Sequence, residues 1–153
     1  MNLKKLASYF HQTYFLPNLQ STNKNNVLKE MVSPLVQHGV ISRENILLET
    51  LYQRETLGST GIGKGVAVPH CRTLATNALH VTVGLSKKGI PYNAIDNKDV
   101  HLLFLIVAPP QDESNLYLPL LGEIVERVRD NKLRKKLMQT TEFDTFFHLI
   151  VGG

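Results

Sequence analysis

The sequence predicts an α/β fold, one domain over residues 1–153 in which helices cover both faces of a β-sheet. Three observations carry this reading. Residues 102–107 form an unbroken apolar run of strand length, which fits a central strand buried on both faces. Before it, Leu79, Val81, Val83 and Leu85 alternate with His80, Thr82 and Gly84, as in a strand with one buried side. On either side of these strands, apolar residues recur at helical spacing, at Val27, Leu28, Met31, Val32, Leu35 and Val36 and again at Leu121, Ile124, Val125 and Val128. The order strand, two helices, three strands, three helices is that of a three-layer α/β/α sandwich.

In chain order, residues 2–11 carry a weak amphipathic helical signal. Residues 14–16 read as a short strand before Pro17, placed at an edge because proline cannot donate to a ladder. Ser21 and Thr22 are the expected N-caps of the first long helix, and Gly39 its stop. Pro34 inside that pattern predicts a kink or a restart. The second helix is expected to be capped by Ser42, with Glu44 suited to the helix dipole and Ile46, Leu47 and Leu51 on the apolar side. It delivers Arg54 and Glu55 to a glycine-rich loop.

Val66, Ala67 and Val68 follow as a short buried strand that Pro69 ends, so that His70 is expected at the mouth of the sheet, facing the loop. The alternating strand comes next, then an extended piece over residues 90–93 and a turn at Asp96 and Asn97. Pro109 and Pro110 end the central strand. Pro119 fits the first turn of the helix through Val128, with Glu123, Glu126, Arg127 and Arg129 outward. A short helix around Leu133, Leu137 and Met138 and a last one bearing Phe143, Phe146, Phe147 and Ile150 complete the chain, the final helix docked by its apolar load.

Composition narrows the function classes. A hydrophobic fraction of 42% with 20% charged residues is that of a folded globular chain rather than a disordered one. No apolar run approaches the roughly 20 residues of a membrane span, and Ser8, His11 and Gln12 interrupt any leader-like core, so a cytoplasmic protein without membrane insertion is expected. The single cysteine, Cys71, cannot form an internal disulfide, which suits a reducing compartment and reads as a buried, inert thiol. A net charge of +4 is compatible with an acidic partner. The basic run Lys132, Arg134, Lys135, Lys136 lacks interleaved aromatics, so it reads as a solvated helix end and not a nucleic-acid site. The histidines show no paired ligand spacing, so no metal is expected.

The stretch with the most chemistry runs from Arg54 to Arg72. Gly58-Ser59-Thr60-Gly61-Ile62-Gly63-Lys64-Gly65 nearly spells a nucleotide-binding loop, but Gly65 stands where a Ser or Thr must hold Mg²⁺. The context is reversed as well, since this loop leaves a helix and enters a strand. A glycine loop can instead hold an anion on backbone amides, and a histidine beside it has the near-neutral nitrogen that a transient phosphoryl acceptor needs. Arg54 reads either as an ordinary exposed cation at a helix end or as a planar guanidinium able to hold two phosphoryl oxygens at once.

These residues resemble the active-site segment of the enzyme IIA components of the phosphotransferase system, in the fructose/mannitol branch that includes nitrogen-regulatory IIA proteins. The family pattern is close to Arg-Glu, then Gly-Ser-Thr-Gly-Ile-Gly, then Gly-(Ile/Val)-Ala-(Ile/Val)-Pro-His. It is matched by Arg54 and Glu55, by residues 58–63 and by residues 65–70. The resemblance implies an α/β sandwich with a mixed sheet and a phosphocarrier that takes a phosphoryl group on His70 from an HPr-type carrier. It implies Arg54 as a stabiliser of that group, with no cofactor. The amides around Ser59, Thr60 and Gly61 are expected to hold the phosphoryl group, while the Ser59 and Thr60 hydroxyls are either further donors or ordinary loop groups.

Many members carry a second histidine at the start of the first C-terminal helix. Here Tyr117 or Asn115 takes its place. A lone domain leans toward regulation of protein targets; the alternatives are a sugar-specific component passing phosphate to a IIB cysteine, and a binding module that is not phosphorylated.

Overall fold

The strand Val100–Ala108 alternates its side chains between two separate cores, and the rest of the molecule is arranged on either side of it. Leu102, Phe104, Ile106 and Ala108 enter one core, while Leu103, Leu105 and Val107 enter the other. A strand with no polar face must be covered twice, and each large side chain so buried contributes about 1.5–3 kcal/mol. The computed structural model describes residues 1–112 and 115–152. In chain order the elements are α1 (Leu3–Ala7), β1 (Phe15–Leu16), α2 (Lys24–Gln37), α3 (Glu44–Thr56), β2 (Gly61–Gly63), β3 (Val66–Ala67), β4 (His70–Arg72), β5 (His80–Ile90), β6 (Val100–Ala108), α4 (Tyr117–Val128), α5 (Asn131–Met138) and α6 (Phe143–Gly152).

The sheet has the order β1-β5-β6-β3-β2, with β4 also pairing β6 beyond β3. It is mixed: β1 lies parallel to β5, β5 antiparallel to β6, β3 and β4 parallel to β6, and β2 antiparallel to β3. Helices α2 and α3 cover one face, while α1, α4, α5 and α6 cover the other. The sandwich and the mixed sheet agree with the sequence reading, and the edge position of β1 does too. Among the described residues no helix is long and apolar enough to cross a membrane.

Several local expectations are corrected. The cap of α2 is Asn23, whose side chain accepts from the Asn26 amide at 2.9 Å. Ser21 instead donates to Glu30 at 2.6 Å. Ser42 does not cap α3; its hydroxyl donates to the Ala75 carbonyl at 3.3 Å, and α3 starts without a side-chain cap. In α3 the buried side is Leu47, Leu48 and Leu51, with Ile46 exposed. Helix α2 runs through Pro34 to Gln37 without interruption. Arg134 is buried rather than solvated, donating to the Val128 carbonyl at 2.9 Å and so closing the C-terminus of α4. Arg127 also turns inward, donating to the Ile150 carbonyl at 3.0 Å.

Strand β5 departs most from expectation, because both of its sides are buried. Thr82 is 0% exposed, and a Cβ built on Gly84 would lie 2.4 Å from Met31 Sδ and 2.8 Å from a Leu19 methyl. The alternation of small with large residues marks where α2 presses against the sheet, not a wet face.

At the N-terminal end of β5, His80 meets the Tyr14 ring, which also touches His11 and His38. Burial, and secondarily the charge of His11, lowers the His80 pKa. Its folded pKa therefore lies below the unfolded value, so the unfolded chain takes up the proton first as pH falls. The stability His80 confers is complete above about pH 6.5 and is lost on acidification below it. Thermal unfolding followed from pH 8 to pH 5 should show a fall in midpoint that His80→Gln makes shallower; equal slopes in the two chains would contradict this.

Candidate active site

Pro69 interrupts the ladder between β3 and β4 without ending the strand. The Pro69 carbonyl accepts from the Ile106 amide at 3.0 Å, and pairing resumes at His70 opposite Ile106. His70 is therefore within the sheet and not at its mouth. The break turns the Val68 carbonyl toward the imidazole, and His70 Nδ1 lies 2.7 Å from it. A carbonyl only accepts, so Nδ1 carries the proton and the lone pair is on Nε2. The side chain is half-buried.

Three elements bring cations and an aromatic ring to this imidazole. Arg54 stands in the last turn of α3, where a cation suits the helix dipole, and its Nη1 donates to the Gly58 carbonyl at 2.9 Å. Arg72 is two residues beyond His70 on β4, hence on the same face of the strand. Tyr117 opens α4, where Asp112 Oδ2 accepts from the Leu116 and Tyr117 amides at 2.8 and 3.2 Å. Its ring centroid lies 6.1 Å from that of His70, and the Arg72 guanidinium carbon lies 4.5 Å from the Tyr117 centroid. Arg54, His70, Arg72, Tyr117, Leu57 and Leu118 line an open cleft of about 700 Å³, and among the described residues its lining includes no carboxylate. Leu57 and Leu118 are exposed at its rim. Two guanidiniums in one cleft make it suited to an anion.

The two neighbouring protic groups are held neutral. Burial pushes the Tyr117 phenol up to about 12, with Cys71 adding to the rise and the two arginines opposing it. Burial alone pushes the Cys71 thiol up to about 12 as well.

The structure places the glycine loop elsewhere. Ser59 Oγ donates to the Tyr92 carbonyl at 3.1 Å and accepts from the Gly61 amide at 3.0 Å. Thr60 is buried, and both its amide and its hydroxyl donate to the Glu55 carboxylate. A Cβ on Gly61 would sit 2.7 Å from that of Ala94, so glycine is needed there for close approach of the two backbones. Ser59, Thr60 and Gly61 do not line the cleft. Of the two residues offered for the missing second histidine, Tyr117 faces His70. Asn115 is exposed, has a positive φ of 52° and donates its amide to the Asp112 carbonyl. Arg72 was missed by the sequence reading, although its period-two spacing from His70 signals a shared face.

Comparison with known proteins gives the class. The family model for the phosphoenolpyruvate-dependent sugar phosphotransferase system, EIIA 2, matches residues 8–152, and the chain belongs to that family. Its relatives include both regulatory and sugar-specific proteins. The chain is 30% identical over 148 residues to the nitrogen regulatory protein of Escherichia coli strain K12, covering 95% of this chain and 89% of that one. It is 32% identical over 133 residues to the fructose-specific EIIABC component of Bacillus subtilis strain 168, covering 87% of this chain but spanning only 21% of that protein. The nitrogen regulatory protein IIA-Ntr from Neisseria meningitidis shares the fold, with a TM-score of 0.87 at 21% identity over 95% of this chain and 99% of that one.

Proposed function

We propose that this chain is a cytoplasmic, single-domain phosphocarrier whose His70 accepts a phosphoryl group through Nε2 from an HPr-type carrier. The observation that supports this most is the 2.7 Å contact between His70 Nδ1 and the Val68 carbonyl, which leaves the Nε2 lone pair in a cleft containing two arginines. In the transfer, that lone pair forms the new P–N bond while the donor's P–N bond breaks and its electron pair returns to the donor nitrogen. The His70 proton stays on Nδ1, held by Val68. The charge of the phosphoryl oxygens is met by Arg54, and positioning with charge stabilisation is the protein's whole contribution. Neither metal nor nucleotide enters this scheme.

The role we assign is regulatory: phosphorylation adds about −1.5 to −2 charges beside the exposed Leu57 and Leu118 and so changes the surface offered to protein targets. The Escherichia coli nitrogen regulatory relative, matched along most of both chains, supports it. The sugar-specific reading, with transfer on to a IIB cysteine, is supported by the Bacillus subtilis fructose-specific relative. Incubation with a phosphorylated HPr-type carrier should add one acid-labile phosphoryl group per chain, and no label would overturn the proposal. Adding IIB proteins then separates the roles, because rapid loss of label to a IIB cysteine favours the sugar-specific one.

Arg54→Lys should slow this transfer about tenfold or more, since lysine keeps the charge and loses the two-pronged grip. Its thermal midpoint should change little, because the bond to the Gly58 carbonyl is at the surface. A transfer rate equal to wild type would contradict the assignment.

A further inference from the structure

Arg72 lines the cleft but has no assigned role in the transfer above, yet it is the charged side chain nearest along the strand to His70. Strand alternation puts residues 70 and 72 on one face and sends Cys71 to the opposite core. The Arg72 side chain does not extend freely into solvent. Its guanidinium lies over the Tyr117 ring at 4.5 Å from the centroid, and Nη1 donates to the Pro109 carbonyl at 3.3 Å. Both of these partners are neutral, so they fix the group without cancelling its charge themselves. An arginine has five N–H donors, and this arrangement occupies few of them. The same Tyr117 ring lies 6.1 Å from the His70 ring, so one aromatic side chain neighbours both the imidazole and the cation.

We propose that Arg72 is a second phosphoryl-binding cation, held at the cleft by the face of Tyr117, which acts as a positioning residue. The inference rests on the reading of His70 as the acceptor. A phosphoryl group on Nε2 carries about −1.5 to −2 charges at neutral pH, more than one guanidinium neutralises. Arg54 from α3 and Arg72 from β4 together match it. Arg72 makes no bond and moves no proton in the transfer; it stabilises the oxygens while the P–N bond to Nε2 forms. Tyr117 on this account works through its ring rather than its hydroxyl. Tyr117→Phe then keeps the function and Tyr117→Leu removes it, whereas a hydrogen-bonding hydroxyl would make both equally harmful.

The test uses phosphoramidate, a small-molecule phosphoryl donor, so that carrier docking does not enter. The full chain and its Arg72→Gln, Arg72→Lys, Tyr117→Phe and Tyr117→Leu variants are phosphorylated side by side, with thermal midpoints recorded. Arg72→Gln should be slower by about ten- to hundredfold and Tyr117→Leu should approach it, with Tyr117→Phe close to wild type and Arg72→Lys intermediate. In the phosphorylated proteins, ³¹P NMR should show the titration midpoint of the phosphoryl group raised in Arg72→Gln relative to wild type, and restored toward it in Arg72→Lys. A purely structural arginine would move neither rate nor midpoint in this charge-dependent way. A labelled His70 with wild-type rate and midpoint in Arg72→Gln overturns the Arg72 assignment and leaves the His70 reading standing. A wild-type chain that phosphoramidate does not label on His70 overturns both.

Discussion

A His70→Ala chain is expected to take up no phosphoryl group under conditions in which the wild-type chain takes up one. The loss should be complete rather than partial, because the thiol and phenol beside His70 are held neutral. Cys71 is adjacent in sequence, but burial holds its thiol near a pKa of about 12, and the thiolate is the nucleophile. The Tyr117 phenol is likewise pushed up to about 12 and stays protonated at neutral pH. Arg54 and Arg72 are not nucleophiles. The substitution removes one hydrogen bond, to the Val68 carbonyl, worth about 1 kcal/mol, so the variant should remain folded. Mass spectrometry of the two chains after incubation with the phosphorylated carrier measures the difference. Label persisting on the variant would show that the acceptor lies elsewhere.

Glu55→Ala should produce the largest loss of stability among single substitutions near the site, about 3–5 kcal/mol. The Glu55 side chain is 7% exposed and pairs with Lys24 Nζ at 2.8 Å, itself 15% exposed. The same carboxylate accepts from the Thr60 amide at 3.1 Å and from the Thr60 hydroxyl, which also contacts the Tyr92 hydroxyl at 3.2 Å. Lys24 in turn lies over the Tyr92 ring at 4.6 Å. Removing the carboxylate strands a nearly buried ammonium and a buried amide at once, and both desolvation costs remain. For a chain of this size the midpoint should drop by about 10 °C. Pairing it with Lys24→Met should recover part of the loss, because the second change removes the uncompensated charge. A Glu55→Ala midpoint within about 3 °C of wild type would show that the network is dispensable. The consequence reaches the cleft, since the Thr60 carbonyl holds the Val68 amide at 2.9 Å and Val68 holds His70.

The glycine loop shows where the sequence was legible and where it was not. The order of elements, the doubly buried strand β6, and Arg54 and His70 in one cleft could all be read, because periodicity and a long ungapped motif are carried by local residue order. The purpose of the loop could not. Glycines that admit an anion and glycines that admit a neighbouring backbone look alike in sequence, and the approach of Ala94 to Gly61 is visible only in the fold. The polar alternation in β5 misled for the same reason: Thr82 is fully buried and Gly84 makes room for Met31 and Leu19, which are tertiary facts. The cap at Ser42 failed because the hydroxyl had a long-range partner in Ala75. Arg72 was within reach of period-two reasoning, and its role became visible once the Tyr117 ring was placed beneath it.

The central claim is that His70 accepts the phosphoryl group through Nε2 because Val68 holds the other nitrogen protonated. With ¹⁵N-labelled protein, long-range ¹H–¹⁵N correlation of the His70 ring before and after phosphorylation reports the state of each nitrogen directly. The account predicts a protonated Nδ1 in the free protein and a ³¹P-coupled Nε2 in the phosphorylated one. A phosphorus coupling on Nδ1, or a free ring protonated at Nε2, would contradict it.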